Sequence, residues 1–505
     1  MTEGSPDPRQ PLLMPGGGRL LGHVLEFRRD PLALLQRARQ HGPVVRARFG
    51  PFSVYLLNSP EAIRQALTSQ AKKLEKGLNF GRTKRLIGNG LVMAEGERHR
   101  QQRRLMQPAF HRAELARYLD TMRDVAVPRI SGWPPGQVLA LDRELRSVTL
   151  TVLTRTLLSS DIGREAVDEI EELLRVLLSE LIARGISANV PGLWWVPTRS
   201  NRRFNAARSR LSAILTGIID GYRTGGDGPA AAERGDLVSL LVRARDDETG
   251  TSMTSQQLRD ETMTLVIAGS ETTGNTVAWA CYLLATHPQA QRRLQAEVDE
   301  VLGGREASFA TLAELPYTRA VITETLRLYG PVWILPRRAV ADVELDGFRL
   351  PAGSRIIFSP YALNRDERLH RDPATFDPAR WTTDYSRSEL RASFFPFGQG
   401  IRNCIGEGFA WTESLLLLSA IAARWDLRLA DGADVQPVVS STLLPSELPV
   451  IVTPRPPSAA ATRHTLRAAA LTRTSRTSRT SRTSRTSRTS RTSRTSETPR
   501  GQLKA

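Results

Sequence analysis

The stretch FFPFGQGIRNCIGEGFAW, residues 394–411, holds Cys404, one of only two cysteines in 505 residues. Gly398, Gly400, Gly406 and Gly408 crowd it, and Arg402 stands two residues before it. A glycine-rich loop lets the backbone approach a ligand closely and adopt left-handed conformations. A thiolate in such a loop can be a nucleophile, a redox centre or a metal ligand. The local sequence offers neither a base for a nucleophile nor a second cysteine for a redox pair. The seven histidines form no zinc-binding cluster. A single thiolate does suffice as the axial ligand of a haem iron, because the porphyrin brings the other four donors. A buried cysteine in a turn is the plain alternative, and the cysteine alone does not decide between them.

The sequence after the loop, GFAWTESLLLLSAIAARW (408–425), reads as a helix. A longer one is expected from Thr254, with Gln257 completing a capping box, to His287, where Pro288 stops it. Its middle, VIAGSETTGNT (266–276), is odd. Gly269 and Gly274 each weaken a helix by about 1 kcal/mol, Thr272 and Thr273 can bond back to the previous turn, and Glu271 puts an acid among apolar residues. Two readings stand: a helix-packing notch, or a local widening where a small molecule and water sit beside a hydroxyl and a proton source. Residues 44–59 alternate in hydropathy and read as a β-hairpin broken at Gly50-Pro51, and 331–360 carry short β-like runs. Residues 166–185 show apolar positions at helical spacing. Helical and β-rich parts interleave, which predicts one large, predominantly α domain with small β-sheets, an α+β class.

Two cysteines make no disulfide framework, so a reducing compartment is expected. Cys281, in VAWACYLL, reads as a buried hydrophobe. Net charge is +18, but residues 454–505 carry +12 of it, leaving +6 on residues 1–453. The tail repeats RTS eight times from Arg473 to Ser496 and cannot build a core. It reads equally as an electrostatic arm or as a repeat without a role. The body is too mildly basic to suggest nucleic acid as a partner. The start of the chain lacks the pattern of a secretory signal or an apolar span, so a cytoplasmic protein is expected.

Phe397, Gly400, Arg402, Cys404 and Gly406 match F-x-x-G-x-R-x-C-x-G. This resembles the haem-binding signature of the cytochrome P450 family of haem-thiolate monooxygenases. Further motifs resemble the same family over residues 10–453. Ala268, Gly269, Glu271, Thr272 and Thr273 match its A-G-x-[DE]-T-[TS]. Glu324 and Arg327 match its E-x-x-R, and Pro378, Arg380 and Trp381 its P-x-R-W.

The resemblance implies the cytochrome P450 fold over residues 1–453, haem b with Cys404 on the iron, and O2 as co-substrate. It implies proton handling by Glu271 and Thr272, and a buried network of Glu324, Arg327 and Arg380 that braces the cysteine loop. His99 and Arg103 at i and i+4, Arg337 and Arg402 are the expected holders of the haem carboxylates, with Phe397 and Gly406 beside the thiolate. Arg98, Arg100 and Arg104 are expected to form a basic patch for an acidic redox protein. Electrons are expected from NAD(P)H through a separate ferredoxin or flavodoxin and its reductase, the chain acting as a monomer. Leu265, Ala268, Trp333 and Leu443 are the expected pocket residues, all apolar. The absence of a cation among them points to a neutral lipophile. PVWILPRRAV (331–340) and NRRFN (201–205) resemble actinobacterial enzymes that oxidise sesquiterpenes. A fatty-acid hydroxylase is the alternative substrate reading. A peroxide-using or rearranging haem-thiolate enzyme is the alternative reaction, disfavoured by the presence of both Glu271 and Thr272. A non-enzymatic haem sensor is disfavoured by the same set of motifs.

Overall fold

A computed structural model describes residues 10–77, 88–158, short helical stretches between 165 and 177, and residues 198–224, 236–382 and 393–456. Most of the expected helix at 166–185, much of the loops 75–95 and 185–200, and the RTS tail lie outside the described residues.

The hairpin forms as expected. Strand β2 (Val44–Phe49) pairs antiparallel with β3 (Phe52–Leu57), with Val44 opposite Leu57. The rest of that sheet comes from β1 (Leu12–Leu13), β4 (Leu74–Glu75), β6 (Leu335–Ala339) and β9 (Arg355–Phe358), in the order β1-β2-β3-β9-β6-β4. The β4–β6 pairing sets Glu75 opposite Arg338 and so brings Lys76 beside Arg337. Strands β7 (Val343–Leu345) and β8 (Phe348–Leu350) form a small hairpin. A three-stranded sheet joins β5 (Val138–Ala140), β10 (Trp425–Leu429) and β13 (Pro449–Pro454). Another hairpin joins β11 (Pro437–Val439) and β12 (Leu443–Pro445).

The helices hold the main core. The long helix spans Ser255–Thr286, with the Thr254–Gln257 capping box formed at its start. At 1.5 Å per residue it is about 48 Å long, and it threads the middle of the domain. Thr254 through Pro288 behave as the sequence predicts, because capping and termination are local.

The middle of that helix differs from the widening: the helix is continuous through Gly269 and Gly274. The glycines make room for a neighbour. A Cβ on Gly269 would crowd Leu153, and one on Gly274 would meet Arg146 and Thr149, all on helix Leu141–Leu158. The packing notch is therefore real, and at Gly269 and Leu153 it borders the cavity that the same turn lines.

Candidate functional site

The cysteine loop is shaped by its own backbone. Cys404 donates its N–H to Phe397 O at 2.8 Å, and Gly398 donates to Phe395 O at 3.1 Å. Gly398 and Gly400 have φ of 74° and 68°, a region costly for residues with a Cβ. A Cβ on Gly400 would also run into the Leu67 carbonyl. Gly406 does not need this freedom. It has φ −88°, caps helix Glu407–Arg424, and directs its N–H at the Cys404 sulfur. Burial pushes the Cys404 thiol pKa up, and the Gly406 N–H and Arg103 oppose that shift. The sulfur lies deep in the protein, and the surface it has faces two cavities that meet at it.

The first cavity, of about 370 Å³, lies between the cysteine loop and the long helix. His99, Arg103, Arg337 and Arg402 all line it, as do Phe397, Cys404 and Gly406, so the structure brings the expected set together. Lys76 joins them, a residue the sequence reading missed. Arg402 ion-pairs with Glu95 and donates to Ala94 O at 2.6 Å. Arg103 reaches Asn403 O at 2.7 Å and Asn403 Oδ1 at 2.6 Å. Arg337 donates to Pro336 O at 2.8 Å, and Lys76 Nζ to Val92 O.

These cations are under-neutralised. Burial, then Arg402 and Arg337, push Lys76 down to about 7. Burial, then Arg402, push Arg337 down to about 10. Burial, then Arg402, Lys76 and Arg103, push His99 down to about 3. Glu95 is the acid that opposes them at Lys76, Arg337 and Arg402. A buried cluster with this excess of positive charge suits a dianionic ligand. A flat group with two carboxylates and a metal that accepts one thiolate fits the donor set, which is the chemistry of haem.

On the cavity's other wall stand Leu265, Ala268, Gly269, Thr272, Thr273 and Thr276 of the long helix. Thr272 donates to Ala268 O at 3.0 Å. Glu271 points elsewhere: its Oε2 accepts from Ser441 Oγ and Thr442 Oγ1, each at 3.1 Å, on the turn between β11 and β12. A second acid went unnoticed in the sequence. Glu413, fully buried on helix Glu407–Arg424, hydrogen-bonds Thr273, and burial pushes its pKa up to about 8.

Two expected pocket residues do not face the cavity. Trp333 packs against Phe27 and donates its N–H to Ser440 O at 3.0 Å. Leu443 is fully buried in the same core cluster. Pro331, Val332 and Leu335 line the cavity instead. Trp333 lies in the irregular segment before β6, where its N–H bond to Ser440 O turns the indole into the core beside Phe27. The basic patch is also reduced. Arg104 pairs with Asp246 at 3.0 Å and Glu248 at 3.1 Å, and Arg100 pairs with Glu97.

Away from the cavity, Glu324 and Arg327 form a fully buried pair at 2.7 Å. Arg380 approaches Glu324 at 3.4 Å, and Trp381 donates its N–H to Glu324 at 2.7 Å. Arg327 spends its other donors on the carbonyls of Asn364, Pro373 and Thr375. Trp381 packs on Phe394, which leads into the cysteine loop. The second cavity, about 430 Å³, lies beyond Cys404 against helices Phe309–Ala313 and Glu407–Arg424, with Arg319 stacked over Trp411.

The family profile described as Cytochrome P450 matches residues 13–454. The chain is 39% identical to cyclooctatin synthase of Streptomyces melanosporofaciens, over 87% of this chain and 95% of that one. It is equally similar, with the same coverage, to cyclooctat-9-en-7-ol 5-monooxygenase of the same organism. Identity to pentalenene oxygenase of Streptomyces avermitilis is 35%, over 88% and 97% of the two chains. A solved cytochrome P450DA heme domain superposes with a TM-score of 0.79 at 24% identity, over 88% of this chain and 98% of that one. Among the described residues no helix is long and apolar enough to cross a membrane.

Proposed function

The chain belongs to the cytochrome P450 family, and we propose that it is a terpene oxygenase whose haem b is ligated by Cys404. The carrying observation is the convergence of Lys76, Arg103, Arg337 and Arg402 on the walls of one cavity that the Cys404 thiol faces. The bound haem supplies the oxidising power that puts one oxygen atom of O2 into a C–H bond. The protein's own residues do the rest. Arg103, Arg337, Arg402 and Lys76 hold the two carboxylates by charge-assisted bonds. His99, kept neutral, donates a single hydrogen bond there. The Gly406 N–H steadies the thiolate, and Phe397 packs beside it. Thr272 Oγ1, at the cavity wall, passes protons inward. Glu271, held by Ser441 and Thr442, collects them at the turn. Electrons derive from NAD(P)H through a ferredoxin or flavodoxin that docks over the cleft at Arg319 and Trp411, to a cytoplasmic monomer.

The substrate reading rests on the cavity wall and on the relatives. Away from the cysteine side the cavity is lined by Leu91, Leu153, Leu157, Leu237, Leu265 and Val332. Among the described residues of that wall no cation stands to hold a carboxylate, which favours a neutral terpene over a fatty acid. The catalytic body ends near residue 453, in keeping with a family match that ends at 454. The test is the carbon monoxide spectrum of the reduced protein beside Cys404→Ser. A strongly red-shifted Soret band, lost in the variant, is expected; a band indifferent to the change would refute the ligation. Terpene hydrocarbons and alcohols, but not fatty acids, should then shift the iron's spin state.

A further inference from the structure

Behind one wall of the cavity lies a small buried polar region, of whose polar side chains Thr264 alone reaches the cavity. The loop 88–91 is stitched to the long helix and to helix Gly96–Met106. Asn89 N donates to Asp260 Oδ2 at 2.9 Å, and Leu91 N to Glu261 Oε2 at 2.8 Å. Gln102 Nε2 donates to Asn89 O at 3.1 Å. Yet four buried atoms of this small region have no hydrogen-bond partner: Asn89 Oδ1, Gln102 Oε1, Glu261 Oε1 and Thr264 Oγ1. Each such orphan costs about 1–3 kcal/mol, so their concentration calls for a ligand rather than for chance.

Thr264 is the member that lines the cavity. Its behaviour sets it apart on its own helix. Thr262, Thr272, Thr276 and Thr286 each donate to the carbonyl four residues earlier, at 2.8–3.0 Å. Thr264 makes no such bond, and its hydroxyl sits under Gly90, where any Cβ would overlap it. Rotation about χ1 exchanges its hydroxyl and methyl, and a helical threonine has two accessible rotamers. The hydroxyl can therefore serve an occupant of the cavity. The other three orphans are carbonyl or carboxyl oxygens, which accept. Burial pushes Glu261 up to about 7, so it is also a donor when protonated. Only Thr264 is in reach of an occupant, and its hydroxyl both donates to and accepts from a neutral O–H.

Resting on the terpene reading above, we propose that the unpartnered Thr264 hydroxyl at the cavity wall recognises a substrate hydroxyl, so that the substrate is a terpene alcohol rather than a terpene hydrocarbon. One recovered hydrogen bond at a site built for it is worth roughly tenfold in affinity, and a hydrocarbon would leave the Thr264 hydroxyl unpaired.

The experiment uses the haem-loaded full chain and pairs of compounds that differ by one hydroxyl: menthane and menthol, bornane and borneol, cedrane and cedrol. Binding is read by calorimetry and by the spin-state shift. At least one alcohol should bind about tenfold more tightly than its hydrocarbon. Thr264→Val should cut that margin below about twofold, while Thr264→Ser should keep it. Equal binding of alcohols and hydrocarbons would mean that ordered water alone fills the subsite, and would overturn the inference while leaving the terpene reading intact. A margin that survives Thr264→Val would overturn it too. Binding by no member of either class would overturn the terpene reading, and the inference with it.

Discussion

Two clusters of buried charge lie close in this molecule, and they are opposite in kind. Around Glu324 the charges close on themselves. One carboxylate meets Arg327, Arg380 and the Trp381 N–H, and Arg327 spends its remaining donors on backbone carbonyls. Around Cys404 the charges stay open. Lys76, Arg337 and Arg402 press on one another, and burial lowers the pKa of each. A closed cluster holds a fold together, because breaking it strands a charge. An open cluster is unfavourable until an anion arrives, which marks it as a binding site.

The largest effect is expected in the closed cluster. Glu324→Ala strands Arg327 in a site with no exposure, at a cost of about 3–5 kcal/mol. That is a large part of the stability of an ordinary domain. The variant should give little soluble protein, and what survives should unfold at much lower urea. Cys404→Ser removes no charge pair and should fold normally while losing the thiolate spectrum. Equal damage from the two changes would erase the distinction between the clusters.

A smaller effect, of opposite sign in two states, is expected at Lys76. With haem bound, Lys76→Met should weaken haem retention roughly tenfold or more, by loss of one charge-assisted bond. Without haem it should stabilise the protein by a few kcal/mol at neutral pH, since it removes an uncompensated buried charge. The pH dependence follows. Unfolded, Lys76 titrates near 10.5, and folded near 7. Between those values the unfolded chain holds a proton that the folded chain does not, so stability rises with pH across the window. Below about pH 7 the penalty is full. Urea unfolding of haem-free protein at pH 7 and near pH 10 should show this rise in the wild type relative to Lys76→Met. A parallel pH response in both would mean that Lys76 is solvated.

The contrast also separates what sequence could reveal from what it could not. Cys404, Arg402, Glu324 and Arg327 were legible because each stands at fixed spacing in a short segment. Arg103 was legible as a helical i+4 partner of His99. Lys76 was not, because only the β4–β6 pairing brings it beside Arg337, across some 260 positions of chain. Trp333 and Leu443 were placed in the pocket because their segments are apolar, but apolarity does not distinguish a cavity wall from the core behind it, where both pack. Glu271 was read as facing the chemistry, whereas the hydroxyls that hold it come from a turn 170 residues away. The long helix was legible in its ends, which depend on local capping, and left open between two readings in its middle, where only the position of Leu153 on another helix accounts for Gly269.

The smallest effect tests whether the closed cluster also reaches across to the open one. Trp381 donates to Glu324 and packs on Phe394, with ring centroids 4.8 Å apart. Trp381→Phe removes the N–H and keeps an aromatic ring at that contact. It should cost about 1–2 kcal/mol in unfolding free energy, the price of leaving one carboxylate oxygen short of a donor. If the network serves stability alone, haem-loaded and haem-free protein should lose the same amount. If Trp381 instead steadies the segment that carries Phe394 into the cysteine loop, the haem-loaded form should lose more, and haem should dissociate faster at unchanged urea midpoint of the haem-free chain. The comparison needs both states measured on one preparation, because only their difference assigns the Trp381 bond to the fold or to the site.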